Sequence, residues 1–302
     1  MTIERVAIIG LGLLGGSIGL AVQEHLPNVA TTGYDIDPDV RVRARELGLT
    51  AVVTDDPLDA VDKADLVILC VPVGAMGDAA RAIAPALDED TIVSDVGSSK
   101  QSILAALSKA LPHHHVIPAH PVAGTEESGP DAGFASLFHR RWCIVTPPED
   151  ADPVRVAALV AFWEDLGALV ETMEPDHHDR VLAVTSHIPH LIAYTIVGTA
   201  SDLEQVTRSE VIKFSAGGFR DFTRIAASDP TMWRDVFLNN REAVLEMLDR
   251  FLTDLALMRE SILAEDGETM FDWFTRTRAI RRGIVAIGQD DARPDFGRKD
   301  HE

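Results

Sequence analysis

A glycine-rich turn near the N-terminus limits the folds open to this 302-residue chain more than any other feature. The β-branched run Arg5–Ile9 leads directly into the segment GLGLLG, and a helical pattern follows it. This is the G-x-G-x-x-G spacing between a strand and a helix. Gly10 permits the tight turn, Gly12 lets the backbone approach a pyrophosphate, and Gly15 lets the helix pack closely on the strand. The N–H groups at the helix N-terminus then face the phosphates.

An acidic residue at the end of the second predicted strand completes this pattern. Asp35 lies about twenty residues beyond the turn, where a carboxylate hydrogen-bonds the adenosine ribose hydroxyls and repels a 2′-phosphate. We therefore predict a site for NAD rather than NADP, formed by Gly10, Gly12, Leu13, Leu14, Gly15 and Asp35. Two alternatives stay open. The glycine turn could only join strand to helix, and Arg41 could tolerate a phosphate if Asp35 points elsewhere.

The rest of the first half repeats the alternation of strand and helix patterns. The apolar run Leu66–Val71 is typical of a parallel strand buried on both faces. Strands separated by helical patterns indicate βαβ units. We predict an α/β fold in which residues 1–172 form a Rossmann-type dinucleotide-binding domain with a doubly wound, mostly parallel sheet.

The pattern becomes wholly helical after Met173. A helix is predicted over residues 175–198, interrupted by Pro189, and a second begins at Ser228-Asp229-Pro230. That second helix carries an apolar seam to a point near Gly267, which packs on another helix within the chain or across a dimer; the seam comprises Val244, Leu248, Phe251, Leu255, Met258 and Ile262. Residues 173–289 are therefore predicted to form an all-α C-terminal domain, and residues 290–302 a frayed tail.

Composition excludes several classes of partner. Lys and Arg number 27 against 48 Asp and Glu, a formal charge of −21, and the chain has no run of five basic residues. We therefore expect no nucleic acid and no anionic membrane as partner. The chain has no uncharged apolar stretch of about 18 residues, so no membrane span is predicted. Two cysteines are too few for a disulfide framework and favour a reducing, cytoplasmic location.

Two polar segments follow predicted strands at the carboxyl edge of the sheet, where ligands bind in doubly wound folds. Ser98, in the segment DVGSSK, is a candidate polar contact, although Ser98 or Ser99 would also serve as a helix cap. His120 begins the segment HPVAGTE. A neutral histidine there can accept a proton as hydride leaves a hydroxyl-bearing carbon. A structural histidine beneath a turn is the alternative.

The helical half adds further candidates. His187 and His190 share a helix face, but a third ligand at a useful spacing is not evident, so no metal is predicted. A substrate contact or a core histidine is the favoured interpretation of this pair. Arg224 ends the segment GGFRDFTR and offers a planar fork for a carboxylate. The alternative is a solvated helix face on which Arg224 pairs with a neighbouring aspartate.

These motifs, in this order, resemble the prephenate and arogenate dehydrogenases of tyrosine biosynthesis, over about residues 3–265. The resemblance implies NAD-dependent oxidative decarboxylation of prephenate to 4-hydroxyphenylpyruvate, or of arogenate to tyrosine. It implies that His120 takes the proton of the substrate 4-hydroxyl, that Ser98 supports this contact and that Arg224 binds a substrate carboxylate. The implied pocket also includes Ser186, His190, Thr125, Gly217 and Trp233, with Glu126 at its entrance. The C-terminal domain is implied to form a homodimer, from whose partner subunit Trp233 enters the site.

Two other functions were weighed against this one. A β-hydroxyacid or imine-type dehydrogenase of the same two-domain plan would place a catalytic lysine on the long helix, whereas only Lys213 and Lys299 lie beyond residue 172. A non-catalytic dinucleotide-binding sensor would leave His120, Ser98 and Arg224 unexplained. The sequence leaves open the choice of prephenate or arogenate, the strictness for NAD, inhibition by tyrosine, and the subunit that supplies each pocket residue.

Overall fold

A computed structural model describes residues 1–125, 127–207 and 217–286. Its main feature is a six-stranded, wholly parallel sheet in the order β3-β2-β1-β4-β5-β6. The strands are β1 (Arg5–Ile9), β2 (Ala30–Tyr34), β3 (Val52–Val53), β4 (Leu66–Leu69), β5 (Ile92–Asp95) and β6 (His115–Val116). This strand order is that of the doubly wound dinucleotide-binding fold. The predicted Rossmann-type sheet is confirmed.

Alternate residues of the central strands enter separate cores on the two faces of the sheet. Ile8 and Ile68 belong to the core on one face, and Ile9 and Leu69 to the core on the other. All of β4 is buried, because helices cover the sheet on both sides. This double burial explains why β4 reads in the sequence as a continuous apolar run.

The helices described fall into two groups along the chain. Those of the first 172 residues are α1 (Leu13–His25), α2 (Pro38–Leu47), α3 (Pro57–Val61), α4 (Met76–Ile83), α5 (Gln101–Ala110) and α6 (Pro153–Asp165). The later ones are α7 (Pro175–Leu182), α8 (Ile188–Thr207), α9 (Gly217–Thr223), α10 (Pro230–Asn239), α11 (Arg241–Leu263) and α12 (Gly267–Ala286).

An Asp-Pro dipeptide starts four of these helices. In α2, α3, α6 and α10 the aspartate carboxylate accepts the backbone N–H two or three residues on, at 2.7–2.9 Å, and proline takes the first helical position. The aspartate satisfies a donor that would have no partner in the first turn, and proline has no N–H that needs one. The predicted helix start at Asp229-Pro230 is among these four.

A second, three-stranded sheet follows the first. It consists of β7 (Ala119–Pro121), β8 (Trp142–Val145) and β9 (Leu169–Thr172), with β7 antiparallel and β9 parallel to β8. His120 follows β6, as predicted, but it also lies within β7, a strand that was not predicted from the sequence, and it pairs there with Ile144. The proline on each side of the Ala119-His120 pair hid this short strand in the sequence.

The helical segment differs from its prediction at two points. Around Pro189 the departure from α geometry lies in the five-residue segment Ala183–His187, which ends two positions before the proline and forms a π turn. Pro189 has no N–H for the carbonyl of Thr185, so the turn widens there. The helix predicted from Pro230 to near Gly267 is two helices, α10 and α11, because the chain bends at Asn240.

The chain groups into two compact units, of which the first extends to Val244 and the second begins at Leu245. The predicted domain boundary near residue 172 stays a prediction. In the second unit several large apolar side chains of α11 and α12 are more than half exposed: Leu252, Leu255, Leu257, Ile262, Leu263, Phe271, Phe274 and Ile280. Of the predicted apolar seam, Leu255 and Ile262 are exposed, whereas Val244 is buried and Leu248, Phe251 and Met258 are half-buried.

In the part of the chain that the structure describes, one helical stretch, Pro175–Asp202, is long and apolar enough to cross a membrane by length and composition alone. This criterion is weak for a single helix, because core helices also meet it. His178, Asp179 and His187 lie in the same stretch, and all three are buried among polar partners.

Candidate active site

The glycine turn connects β1 to α1 with the geometry that its spacing predicts. Gly10 has a φ of +101°, and its N–H donates to the Tyr34 carbonyl at 2.8 Å. A Cβ at Gly15 would overlap the carbonyl oxygen of Gly10, so only glycine lets α1 pack this closely on the turn. A Cβ at Gly12 would meet nothing within 4 Å. The backbone at Gly12, followed by Leu13 and Leu14 in the first turn of α1, is thus open to a ligand.

Asp35 lies at the end of β2 and contacts this turn directly. Its carboxylate accepts the N–H of Leu11 at 2.8 Å and that of Asp37 at 3.0 Å. Arg41, the residue that would accommodate a phosphate, donates to the Asp35 carbonyl at 2.8 Å and to Asp55 at 2.9 Å. The guanidinium of Arg41 is therefore occupied by oxygen atoms of the protein itself.

The first and last residues of the segment DVGSSK, Asp95 and Lys100, form a buried ion pair. Lys100 is fully buried, and its Nζ donates to Asp95 Oδ2 at 2.5 Å and to the Ala119 carbonyl at 2.6 Å. Burial lowers the pKa of Lys100 and raises that of Asp95, and each charge opposes the shift of the other. Because Ala119 precedes His120 in β7, this lysine fixes the backbone from which His120 projects.

Asp179 of α7 joins the helical segment to the sheet domain. Its carboxylate accepts the N–H groups of Lys100 at 2.7 Å and Gln101 at 3.0 Å, and so caps α5. Its Oδ1 also lies 2.9 Å from Nδ1 of His178. Burial raises the pKa of Asp179, and the two backbone N–H groups oppose this shift. One carboxylate thus orients both a helix N-terminus and an imidazole.

His120 is the end of this hydrogen-bonded chain. Its Nδ1 lies 2.8 Å from Nε2 of His178, and the two rings meet edge to face with centroids 5.1 Å apart. His120 is 8% exposed, and no hydrogen bond of its Nε2 is found within the described parts of the chain. That nitrogen is left to meet a ligand.

Burial and a neighbouring charge keep both histidines neutral. Burial lowers the pKa of His120 well below its usual value, and the proximity of His178 and of the Lys100 ammonium group lowers it further. Burial, with Lys100 and His187, lowers the pKa of His178 to about 2. The requirement that His120 be neutral at working pH is therefore met.

Ser98 lies half-buried in the loop between β5 and α5, with His187 against its backbone. Burial lowers the pKa of His187 to about 4. Nδ1 of His187 is 3.1 Å from the side-chain amide nitrogen of Asn240, which also donates to the Asp179 carbonyl at 2.8 Å. Asn240, between α10 and α11, thus contacts both Asp179 and His187.

A second group of predicted residues surrounds Trp233 of α10. His190 stacks on the indole with centroids 3.6 Å apart, and its Nδ1 donates to the Ser186 carbonyl at 2.9 Å. The pKa of His190 is lowered by burial and by the nearby Arg224, whereas its bond to the Ser186 backbone opposes this shift. Trp233 stacks on a histidine of its own chain, and its entry into the site of a partner subunit stays a prediction.

The remaining predicted residues lie at the edges of this region. Thr125 is half-buried, and its hydroxyl accepts the N–H of Glu127 at 3.2 Å. Gly217 is the first residue of α9, whose last turn leads to Arg224. Glu126 lies outside the described residues. Within those residues, no group of three or more His, Cys, Asp or Glu side chains is arranged to hold a metal ion.

Sequence reasoning missed the polar residues that support His120. Lys100 belonged to a recognised segment, but its burial has no signal in the sequence. His178 and Asp179 follow His177 in an ordinary-looking HHD run, and Asn240 lies within an expected helix. Lysine and aspartate are rarely fully buried, so the sequence gives no reason to expect them there. Only the tertiary structure shows that these residues support His120.

Comparison with known proteins finds similar sequences over most of the chain. Residues 18–172 match the family model "Prephenate dehydrogenase, nucleotide-binding domain", and residues 174–276 match "Prephenate dehydrogenase, dimerization domain". The chain is 46% identical over 292 residues to the cyclohexadienyl dehydrogenase of Zymomonas mobilis, covering 96% of this chain and 99% of that one. It is 33% identical over 295 residues to the prephenate dehydrogenase of Bacillus subtilis, covering 97% and 79%.

A solved structure is similar over nearly the whole chain. The prephenate dehydrogenase of Aquifex aeolicus, in complex with hydroxyphenyl propionate and NAD+, superimposes with a TM-score of 0.88 at 33% identity. The similarity covers 94% of this chain and 99% of that one. It includes both the sheet domain and the helical segment.

Proposed function

The chain belongs to the prephenate dehydrogenase family, and from this premise we propose that it catalyses the NAD-dependent oxidative decarboxylation of prephenate in tyrosine biosynthesis. The ring carboxylate leaves as CO2 and the product is 4-hydroxyphenylpyruvate. Arogenate, which carries an amino group in place of the side-chain keto group, is proposed as a second substrate that yields tyrosine. The high identity to a cyclohexadienyl dehydrogenase supports this wider range.

The cofactor proposed is NAD, held by Gly10, Gly12, Leu13, Leu14, Gly15 and Asp35. When bound, NAD accepts the hydride from the ring carbon that bears the hydroxyl. The open backbone at Gly12 fits a pyrophosphate, and the engagement of Arg41 with Asp55 leaves a 2′-phosphate without that cation. The complex of NAD+ with the similar Aquifex aeolicus enzyme supports the same choice.

His120 is proposed as the catalytic base. Its unengaged Nε2 accepts the proton of the substrate 4-hydroxyl as the ring is oxidised, and returns it to the phenolic oxygen of the aromatic product. Loss of the carboxylate supplies the electron pair that completes the aromatic ring, so the protein positions and polarises the substrate and moves one proton. Ser98 is proposed to hydrogen-bond the same hydroxyl.

The other end of the substrate is proposed to meet the group around Trp233. Arg224 binds a carboxylate, because a guanidinium forms two parallel hydrogen bonds to it. His190 and Ser186 contact the side chain, with Thr125 and Gly217 beside them. The stacking of His190 on Trp233 and the influence of Arg224 on the His190 pKa support one shared pocket wall.

Domain organisation and assembly are proposed on the same basis. The boundary lies near residue 172, between a dinucleotide-binding domain and a helical domain for substrate binding and dimerisation. The exposed apolar residues of α11 and α12 support a homodimer through these helices, since an apolar surface of this kind marks an interface. The cytoplasm is the proposed location.

The observation that carries the proposal is a buried, neutral His120 whose Nε2 is left for a ligand. We expect the purified protein to form NADH from prephenate, and His120→Asn to lower kcat about 10²- to 10⁴-fold, the range for a lost base. NADP and arogenate serve as parallel assays. Absence of turnover on either cyclohexadienyl acid would refute the activity, and an asparagine variant as active as the parent would remove His120 from the reaction.

A further inference from the structure

A hydrogen-bonded chain leads from Asp179 through His178 to His120, and the proposed reaction so far uses only its last member. Asp179 Oδ1 is 2.9 Å from His178 Nδ1, and His178 Nε2 is 2.8 Å from His120 Nδ1. All three residues are buried. Each link joins groups whose donor and acceptor roles depend on where the protons lie.

The direction of the chain is set at its aspartate end. The carboxylate of Asp179 accepts one backbone N–H on each oxygen, from Lys100 and Gln101, and so acts as an acceptor at the N-terminus of α5. Its Oδ1 therefore accepts the proton on Nδ1 of His178 as well. A neutral imidazole protonated at Nδ1 presents a lone pair at Nε2.

That lone pair in turn determines the tautomer of His120. Nε2 of His178 accepts only if Nδ1 of His120 carries the proton, which leaves the lone pair of His120 on Nε2. The opposite tautomer would place two lone pairs face to face over 2.8 Å. A base needs its lone pair at the nitrogen that faces the substrate, so this tautomer is the active one.

We propose that His178, oriented by Asp179, is a positioning residue that holds His120 in the tautomer and ring orientation required of the base. This inference rests on the proposed function, in which His120 takes the hydroxyl proton. His178 itself touches no substrate and acts through His120 alone.

The charged and titratable groups that face this chain are consistent with a neutral pair of rings. Lys100, with its partner Asp95, lies on the sheet side, and His187 lies on the helix side. Lys100 and His187 both lower the pKa of His178 and of His120, so neither imidazole takes up a second proton. At neutral pH the imidazoles of His178 and His120 are therefore both uncharged, and Asp179 fixes the orientation of His120 through hydrogen bonds alone.

The test replaces His178 by phenylalanine and by glutamine. Phenylalanine keeps a flat ring but removes both nitrogens, whereas glutamine keeps one donor and one acceptor. We expect His178→Phe to lower kcat about 100-fold, with KM for prephenate and the Kd for NAD within about threefold of the parent. His178→Gln should regain about tenfold of that loss. His177→Phe, an exposed neighbour in the same helix, is the matched control and should leave all three constants unchanged.

A second measurement reads the tautomer directly. Nitrogen-15 NMR of the parent protein should show His120 protonated at Nδ1, and His178→Phe should show a mixture of tautomers. A purely structural role for His178 would change stability without moving these resonances. Should the phenylalanine variant fail to fold, the glutamine variant and the parent spectrum decide the question.

The outcomes separate the two proposals. If His120→Asn abolishes turnover while His178→Phe is as active as the parent, His120 remains the base and the positioning role is overturned. A parent spectrum with His120 protonated at Nε2 overturns it as well. A protein that turns over no cyclohexadienyl acid overturns the proposed function, whatever the tautomer of His120.

Discussion

Gly12 and Gly15 belong to the same glycine-rich motif, but each is required for a different physical reason. Gly15 faces the carbonyl of Gly10, where the fold leaves no space for a side chain. Gly12 faces open space, where the fold itself would tolerate a methyl group. Sequence spacing alone predicts both roles, because this strand–turn–helix geometry recurs wherever the motif occurs.

The paired substitutions Gly15→Ala and Gly12→Ala separate these demands. We expect Gly15→Ala to lower the free energy of unfolding by about 1–3 kcal/mol, because the turn must shift to relieve the overlap. Urea denaturation measures this change, and calorimetric titration measures the Kd for NAD.

Gly12→Ala is the matched control for the fold. Its free energy of unfolding should stay within about 0.5 kcal/mol of the parent, while the Kd for NAD rises at least tenfold because the methyl group blocks the pyrophosphate. An alanine variant that binds NAD like the parent would show that the backbone at Gly12 does not approach the cofactor.

Candidate site residues were proposed from the sequence only where a local motif contains them. Ser98, His120 and Arg224 lie in segments with recognisable spacing, whereas His178 reaches His120 across 58 positions of sequence. Nothing local distinguishes buried His178 from exposed His177 beside it. The distinction comes from which face of α7 meets the sheet domain.

Among the elements, helices with strong caps were the most predictable. The Asp-Pro starts fix helix ends through contacts within three residues, so the sequence suffices to place them. Strand β7 was missed because its partner, β8, lies more than twenty residues further along the chain. The break at Asn240 was missed for the same reason, since the contacts that favour it are with Asp179 and His187.

The break between α10 and α11 yields a test with two adjacent asparagines. Asn240→Ala removes a buried amide that donates to the Asp179 carbonyl and contacts His187, so we expect a loss of about 1–3 kcal/mol in the free energy of unfolding. Within the described residues, the side chain of Asn239 donates only to the Asp235 carbonyl of its own helix, and Asn239→Ala should cost less than about 1 kcal/mol. Equal losses in urea denaturation would assign no special role to the break.

At the level of the whole molecule, the order of alternating elements was sufficient to predict the parallel sheet and the helical half. Handedness and packing rules leave few arrangements for repeated βαβ units, so local patterns specify the topology. The division into two compact units was harder to predict from the sequence. The grouping of residues up to Val244 depends on long-range contacts, including those of the helical segment with the sheet domain.

Buried neutral histidines predict an acid-sensitive fold. His178 has its pKa lowered from 6.5 to about 2, so between these values the unfolded chain binds a proton that the folded chain does not. Stability from this group is therefore complete above pH 6.5 and is lost as the pH falls below it. At pH 5.5 its share of the loss is about 1.4 kcal/mol.

Comparison of variants isolates that share from other titrating groups. The free energy of unfolding, measured in urea at pH 7.5 and pH 5.5, should fall less in His178→Phe than in the parent, by about 1.4 kcal/mol. His177→Phe, which changes an exposed histidine, should follow the parent. A phenylalanine variant with the full acid sensitivity of the parent would contradict burial of a neutral imidazole at position 178.

Asp179 caps a helix and also orients a histidine, and these two roles together restrict how α7 can move. The same carboxylate caps the N-terminus of α5 and contacts Nδ1 of His178, which in turn contacts His120. A displacement of α7 along α5 would therefore change the orientation of the His120 ring. With His120 as the proposed base, a displacement of α7 against α5 would turn its lone pair away from the substrate. The packing of these two helices would then determine how well the proton is transferred.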